Sequence, residues 1–328
     1  MLHNCGTAAH TPCRKAGEQD ACTARPAPGV EPLLGGTGGG ASGAGAAGGR
    51  HGLAQSAAAQ RQLRQAARSQ QGVAVQLPRE SDRLTVLVCT AGEQPGFVLA
   101  YLNASQNCVH LLSVPAVLTV PFAEEETSLA RCYAAAGPAR CREALAQVLA
   151  LPEGTRYLAF SPDVLERIAS RYGPVRVGFT GALTEEELAR YGRSRAVQGI
   201  SAGDAHKFLC QLQADEAFSP VRTATARAAV WDAFLRQDLD LLPATLPDAL
   251  RASSTALLTD FAAQDYTLLG TVLEFLANNS ALPHAEALPG AWDAKAGTYT
   301  VTDASRAAVQ TFLSVSPASG NDASLREP

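Results

Sequence analysis

The sequence predicts an α/β protein, a layered α/β/α sandwich around a mixed central sheet. Short apolar runs, typical of strands buried on both faces, alternate along the chain with amphipathic helical patterns. Such alternation is typical of a sheet covered by helices. The chain has 328 residues, 46% of them hydrophobic and 18% charged. It is therefore long and apolar enough to bury a sizeable core.

The N-terminal segment, residues 1–75, is predicted to be disordered. Its glycine-rich stretch at 35–49 has almost no side chain to bury and much backbone entropy to lose. The helical pattern at 56–71 lacks an apolar stripe, so we interpret it as an exposed connector. The last residues, 317–328, predict a second disordered tail, which leaves 76–316 for the folded domain.

Three strands are predicted at the start of this domain. The runs LTVLVC at 84–89 and FVLAYL at 97–102 are continuously apolar, as is most of 109–114. The polar segment at 103–107 predicts a hairpin-like turn between the second and the third strand.

Helices then alternate with further strands. Pro138 suits the first turn of a helix, Ser161 is placed to cap the next one, and Thr184 with Glu187 forms a capping-box pattern. The remaining predicted strands are 157–160, 175–179 and 298–301, and the remaining predicted helices are 202–213, 223–237, 246–258, 266–278 and one that Asp303 caps.

Composition excludes several classes of function. The net charge of −4 gives no basic footprint for nucleic acid. No stretch approaches the roughly 20 apolar residues of a membrane span, and no signal peptide is evident, so the chain read alone is expected in the cytoplasm. The eight cysteines contain no C-x-x-C pair, and the five within the folded domain are interpreted as buried free thiols. The three near the N-terminus, Cys5, Cys13 and Cys22, match no known spacing of zinc ligands and are interpreted as part of a disordered tail.

Several short motifs occur in the order found in a known family. They are S-V-P at 113–115, LARCY at 129–133, G-P at 137–138 and LPG at 288–290. Together with the order of strands and helices over about 83–315, they resemble the LytR–CpsA–Psr family.

This resemblance implies an extracytoplasmic protein of the bacterial cell envelope. Members of the family move glycopolymers from a polyprenyl-pyrophosphate carrier onto peptidoglycan or another acceptor. Their chemistry uses carboxylates that hold a metal ion and arginines that clamp phosphates, and an apolar tunnel takes the lipid. The resemblance implies Mg²⁺ as a cofactor and a polyprenyl-linked glycopolymer as a partner.

The family's charged positions are uncharged here. The arginine and aspartate that follow its Ser-Ile-Pro motif correspond to Ala116 and Val117. Without such groups the chain lacks the charge stabilisation that phosphoryl transfer needs. We therefore assign no catalytic residue and no metal ligand, and the cofactor is unknown because the carboxylate positions are lost. The other substituted positions are Ala91, Pro95, Gly96, Ala130, Cys210 and Leu212.

Candidate ligand-binding residues remain of two kinds. The charged ones, Asp215, Arg222 and Arg227, lie in the segment ADEAFSPVRTATAR, where the family has its later arginines. We expect one of the two arginines at the mouth of an apolar cavity, near Ala116. The residues expected to line that cavity are Leu99, Tyr101, Leu111, Val148 and Phe160.

The sequence thus predicts a divergent, non-catalytic LytR–CpsA–Psr-like protein that binds a polyprenyl phosphate or a glycopolymer. One alternative is an active glycopolymer–peptidoglycan phosphotransferase that uses shifted residues such as Arg222 and Arg227. Another is a soluble protein-interaction module without any envelope role. The oligomeric state is not predicted.

Overall fold

The structure is a computed structural model that describes residues 77–314. The predicted disordered segments at 1–75 and 317–328 lie outside this described range. The strands are β1 (Arg83–Thr90), β2 (Gly96–Asn103), β3 (Cys108–Val114), β4 (Thr119–Phe122), β5 (Glu125–Ser128), β6 (Arg156–Phe160), β7 (Val175–Val177), β8 (Gln198–Ile200), β9 (Leu258–Thr259), β10 (Pro283–Ala287), β11 (Ala291–Asp293) and β12 (Thr298–Thr300). The helices are α1 (Leu129–Leu149), α2 (Pro162–Ala169), α3 (Glu185–Arg190), α4 (Ala202–Ala214), α5 (Pro220–Asp238), α6 (Leu242–Ala252), α7 (Ala263–Asn278) and α8 (Asp303–Ser314).

The central sheet is mixed and has six strands in the order β10-β3-β2-β1-β6-β9. Strands β1, β2 and β3 form an antiparallel meander, as the polar turn between β2 and β3 predicts. Strand β6 pairs parallel with β1, and β9 adds an antiparallel edge to β6. On the other side β10, far along the chain, pairs parallel with β3, with Pro283 opposite Val109.

Each face of this sheet is covered by helices, which confirms the predicted α/β/α layers. One face packs against α1 and α8, with Leu99, Leu145 and Phe312 in its core. The opposite face packs against α2, α5, α6 and α7, with Val98 and Val272 among its buried residues. Successive residues of each strand point to opposite faces, so both layers draw on the same strands.

A third cluster of buried residues lies beside these layers. Helices α3 and α4, the β7–β8 pair and part of α5 enclose Val177, Phe179, Leu188 and Phe208. Helix α5 contributes to both cores, because Ala226 packs in the third cluster and Leu235 packs against the central sheet. This long helix therefore connects the two cores.

Two of the sequence predictions need correction at helix ends. The helix expected at 246–258 is α6, Leu242–Ala252, because Pro243, not Pro247, stands in its first turn. At α8, the Thr302 hydroxyl accepts a hydrogen bond from the Ser305 backbone N–H at 3.4 Å, so Thr302 caps the helix and Asp303 lies in its first turn.

Helix α1 is bent, in agreement with the predicted start at Pro138. Gly137 has a φ of 74° inside α1, a conformation that favours glycine, so two helical segments meet there and Pro138 begins the second. Among residues 77–314, no helix combines the length and the apolar character needed to cross a membrane.

Candidate functional site

An apolar cavity of about 190 Å³ lies between the central sheet and helices α2, α4, α5, α6 and α7. Strands β1 and β2 line it with small side chains, among them Val86, Val98 and Ala100. The helices contribute larger groups such as Trp231 and Phe234 from α5. Larger strand residues, among them Leu111 and Phe160, also line this space beneath the helices.

Polar groups gather at the end of the cavity where β1 stops and β2 starts. Thr90 is the last residue of β1, Gln94 lies in the turn that follows, and Gly96 opens β2. Helices α4 and α5 place their own polar side chains against this turn. The polar end consists of Thr90, Gln94, His206, Cys210, Gln213 and Arg227.

Arg227 is the charged residue of the polar end. Its side chain lines the cavity although the residue is only 4% exposed. Nη2 donates to Gln213 Oε1 at 2.7 Å, and within residues 77–314 no carboxylate lies in ion-pair range of this guanidinium. Burial lowers the pKa of Arg227 to about 10, so it stays charged at neutral pH.

Gly96 makes room for that guanidinium. A methyl group on Gly96 would lie 2.7 Å from Arg227 Nε and 2.6 Å from Thr90 Oγ1. The Thr90 hydroxyl in turn accepts the Gly96 backbone N–H at 3.1 Å. The absence of a side chain at Gly96 therefore lets the guanidinium lie directly on the sheet edge.

Hydrogen bonds tie the β1–β2 turn to α4. Gln213 Nε2 donates to Gln94 Oε1 at 3.2 Å and to the Pro95 carbonyl at 3.0 Å. Cys210 Sγ lies 3.7 Å from the Gln94 carbonyl. Because Gln213 also accepts from Arg227, one amide side chain fixes the turn and the guanidinium together.

His206 and Cys210 stand one helical turn apart on α4, with Nε2 and Sγ separated by 3.5 Å. Burial, and then the Arg227 guanidinium, lower the pKa of His206, so its imidazole is mainly neutral at pH 7. Burial raises the pKa of the Cys210 thiol although Arg227 acts in the opposite direction. Arg227 is thus the only formal charge among the six polar-end residues at neutral pH.

Of the apolar residues expected in the cavity wall, the structure brings two to it. Leu111 and Phe160 line the cavity. The expectation for Leu99, Tyr101 and Val148 is wrong, because these side chains pack in the core on the α1 and α8 side of the sheet. Leu99 and Tyr101 alternate along β2 with Val98 and Ala100, which do face the cavity.

The other two charged candidates lie away from the cavity wall. Arg222 forms a short ion pair with Glu187 and also donates to the Ala182 carbonyl at 3.1 Å. Asp215 accepts the Tyr191 hydroxyl at 2.6 Å and the Ala217 backbone N–H at 2.9 Å. Both belong to the surroundings of the third cluster, and Arg227 is the predicted charged residue that faces the cavity.

The expected position of an arginine near Ala116 stays a prediction. Arg227 lies beside Gly96, which precedes Phe97, the partner of Val114 at the end of β3. The Ala116 side chain itself packs in the core on the α1 side. Leu212 is buried in the third cluster, whereas Cys210 and Gly96, two other uncharged family positions, line the cavity.

The donor set does not suit the Mg²⁺ that the family resemblance implies. Mg²⁺ prefers carboxylate and other oxygen ligands. The cavity wall contains no aspartate or glutamate, and the described residues contain no group of three His, Cys, Asp or Glu side chains placed to hold a metal ion.

Sequence reasoning did not find Thr90, Gln94, Gly96 and Gln213. These residues come together because the β1–β2 turn contacts α4, which lies more than 110 residues later in the chain. A glycine that opens an otherwise apolar strand was the one local signal, since such a glycine marks the close approach of another group.

Solved structures share this fold. A candidate transcription regulator from Eubacterium siraeum is 14% identical with a TM-score of 0.60, over 72% of this chain and 93% of its own. A LytR-Csp2A-Psr enzyme from Actinomyces oris is 18% identical at 0.52, over 72% and 93%. TagT bound to LIIa-WTA is 14% identical at 0.54, over 72% and 92%. The fold is therefore that of LytR–CpsA–Psr proteins.

No protein-family model and no curated protein matches the sequence. At identities of 14% to 18% the structural likeness describes the fold of this chain.

Proposed function

We propose that this chain is a LytR–CpsA–Psr-like protein of the cell envelope that binds a polyprenyl phosphate, alone or joined to a glycopolymer, and does not transfer it. The observation that carries the proposal is the buried Arg227 guanidinium at one end of an apolar cavity. A buried charge without a counter-charge is costly. A lipid anion whose chain enters the cavity would supply that counter-charge.

The envelope assignment rests on the fold and on one relative. TagT, which shares the fold, has been solved bound to LIIa-WTA. In this chain an apolar cavity lies between the sheet and the helices that cover one of its faces. Fold and cavity together favour a lipid-linked ligand over an unrelated role as a protein-interaction module.

Uncharged residues at the family's reactive positions support binding without catalysis. Ala91 and Ala116 follow strands β1 and β3, and Cys210 lies on α4; none of them carries a carboxylate or a guanidinium. Phosphoryl transfer depends on positive groups and metal ions that stabilise charge in the transition state. One buried arginine binds an anion but supplies only part of that stabilisation.

The alternative of a transferase with shifted residues needs both Arg222 and Arg227 at one phosphate. Arg222 is held by Glu187 and by the Ala182 carbonyl, and its guanidinium also stacks on Phe218 at 5.1 Å. An arginine with these partners is not free to join Arg227. We therefore favour the non-catalytic function.

Native mass spectrometry of the full chain with a polyprenyl monophosphate tests the proposal. We expect a 1:1 complex at micromolar lipid, loss of the complex in Arg227→Gln, and retention in Arg222→Gln. Arg222→Gln is a matched control, since it makes the same change five residues away on the same helix. Absence of any lipid complex with the unaltered chain would rule out the binding function.

A transfer assay tests the second half of the proposal. The chain is incubated with a polyprenyl-pyrophosphate-linked glycopolymer and peptidoglycan, and the transferred polymer is measured. We expect none above the protein-free background. Transfer that disappears in Arg227→Gln would show that the chain is an enzyme.

A further inference from the structure

The polar end presents a single positive charge to a ligand. Arg227 is charged, His206 is mainly neutral at pH 7, and Arg222 is bound to Glu187 elsewhere. Lys207, the neighbour of His206 on α4, is exposed and does not line the cavity. A ligand head group placed beside Arg227 therefore meets one positive charge from the described residues.

The N–H groups of Arg227 that remain available suit a small planar or tetrahedral anion. Nη2 is bonded to Gln213, and no other acceptor among the described side chains bonds this guanidinium. A guanidinium presents five N–H donors in a fixed fork that fits two oxygens of a carboxylate or a phosphate. The polar end can thus bind one such group in a bidentate manner.

A pyrophosphate fits this end poorly. A phosphate monoester alone carries about −1.5 to −2 charges at pH 7, and a pyrophosphate carries more. Neutralising it in a buried place takes several cations or a metal ion. The cavity wall offers one arginine and no carboxylate for a metal ion.

The size of the cavity limits the apolar part of the ligand. Its volume of about 190 Å³ is below the roughly 300–1,000 Å³ of pockets that enclose drug-sized ligands. Such a space accepts the first part of one chain and not two chains side by side.

We propose that the ligand of this site is a single-chain amphiphile whose head group carries one negative charge and binds Arg227 directly, without a bridging metal ion. This inference rests on the proposed function and narrows its ligand class. A long-chain carboxylate carries one charge at pH 7, and burial beside one arginine disfavours the second ionisation of a lipid monophosphate, whose second pKa is about 6 in water. The carboxylate and the singly ionised lipid phosphate therefore share the required chemistry. A lipid pyrophosphate with its metal ion does not.

Isothermal titration of the full chain with three probes tests this inference. The probes are palmitate, a polyprenyl monophosphate and a polyprenyl pyrophosphate, each in buffer with EDTA and in buffer with Mg²⁺. We expect 1:1 binding of palmitate or the monophosphate, unchanged by Mg²⁺. The pyrophosphate should bind at least about tenfold more weakly, which corresponds to a free-energy difference of about 1.4 kcal/mol.

Variants separate the contribution of the Arg227 guanidinium from that of the apolar cavity. Arg227→Lys keeps the charge but loses the fork, so we expect about tenfold weaker binding. Arg222→Gln should bind as the unaltered chain does. If Arg227 variants fail to fold, Ala100→Leu keeps the guanidinium, fills the chain space and should also weaken binding.

The outcomes separate the inference from the proposed function. Tighter binding of palmitate assigns a carboxylate head, and tighter binding of the monophosphate assigns a phosphate head; both support the inference. Tight, Mg²⁺-dependent binding of the pyrophosphate overturns it and leaves the proposed lipid-binding function standing. No binding of any probe overturns both.

Discussion

The two faces of the central sheet are both apolar, yet one is filled and the other borders a cavity. Toward α1 and α8, strand β2 presents Phe97, Leu99 and Tyr101. Toward α5 and α7 the same strand presents Val98 and Ala100. On β2 the filled face thus has larger side chains than Val98 and Ala100 on the cavity face, although large residues of other strands, Leu111 and Phe160, also line the cavity. Along this strand, side-chain size and not polarity distinguishes the two faces.

Truncation of a large side chain on the filled face should have the largest effect. Leu99 is fully buried, so Leu99→Ala leaves a new void and should lower the free energy of unfolding by about 3 kcal/mol. Val98 precedes Leu99 and faces the cavity, and Val98→Ala should lower the free energy of unfolding by only about 1 kcal/mol because fewer methyl contacts are lost. Urea unfolding monitored by circular dichroism measures both. Equal losses would contradict the difference between the faces.

Enlarging an alanine should have opposite effects on the two faces. Ala144 on α1 is fully buried in the filled core, so Ala144→Leu should destabilise the protein by about 2 kcal/mol through overpacking. Ala100→Leu, which fills part of the cavity, should raise the free energy of unfolding by about 1 kcal/mol. The pair is measured by the same urea titrations. Destabilisation by both substitutions would mean that the cavity face has no usable space.

Gly96→Ala changes the polar end without touching either apolar face. Its methyl group would meet the Thr90 hydroxyl and the Arg227 guanidinium at less than 3 Å, so Arg227 must move. We expect a loss of about 1 kcal/mol in stability and weaker lipid binding, measured by thermal unfolding and by titration. Gly154→Ala is the control, since nothing lies within 4 Å of the added methyl group. Unchanged lipid binding in Gly96→Ala would show that the position of Arg227 does not matter.

The smallest effect concerns the Arg222–Glu187 pair, which belongs to neither face. The hydrogen bond from Arg222, and then one from the Thr184 backbone, lower the pKa of Glu187 from 4.5 to about 2. The unfolded chain therefore binds this proton more readily, and the contribution of Glu187 to stability is present above pH 4.5 and lost as the pH falls toward 2. Glu187→Gln should flatten the stability profile over this window, measured by urea unfolding at several pH values. Glu186→Gln should leave the profile as it is; flattening by that control instead would refute the assignment.

The strands were predictable because each is a short apolar run bounded by polar or turn residues. Strands β1, β2 and β3 follow the predicted 84–89, 97–102 and 109–114 within two residues. The short strands β4, β5 and β8–β11 were not predicted, because runs of two to five residues carry too little periodicity. Their pairing depends on contacts between distant parts of the chain.

The site was harder to predict because both faces of the strands are apolar. In a run such as FVLAYL no polar residue marks the outer side, so alternation alone does not say which residues face the cavity. Leu99 and Tyr101 were expected in the cavity wall, but the alternation of side chains along β2 places them on the opposite face. Arg227 was a candidate because its segment corresponds to the family's later arginines, but its burial depends on Gly96, which lies 131 residues earlier.

The parallel pairing of β3 with β10 also sets the earliest time during synthesis at which the central sheet can be completed. Strand β10 cannot pair until residue 287 has been synthesised, long after β3 ends at Val114. At the 5–20 residues per second of translation, this takes roughly 9–35 s. During that interval one edge of a nascent hydrophobic strand has no partner and is exposed to other chains. Strand β3 is therefore open to pairing with other chains while the chain emerges from the ribosome.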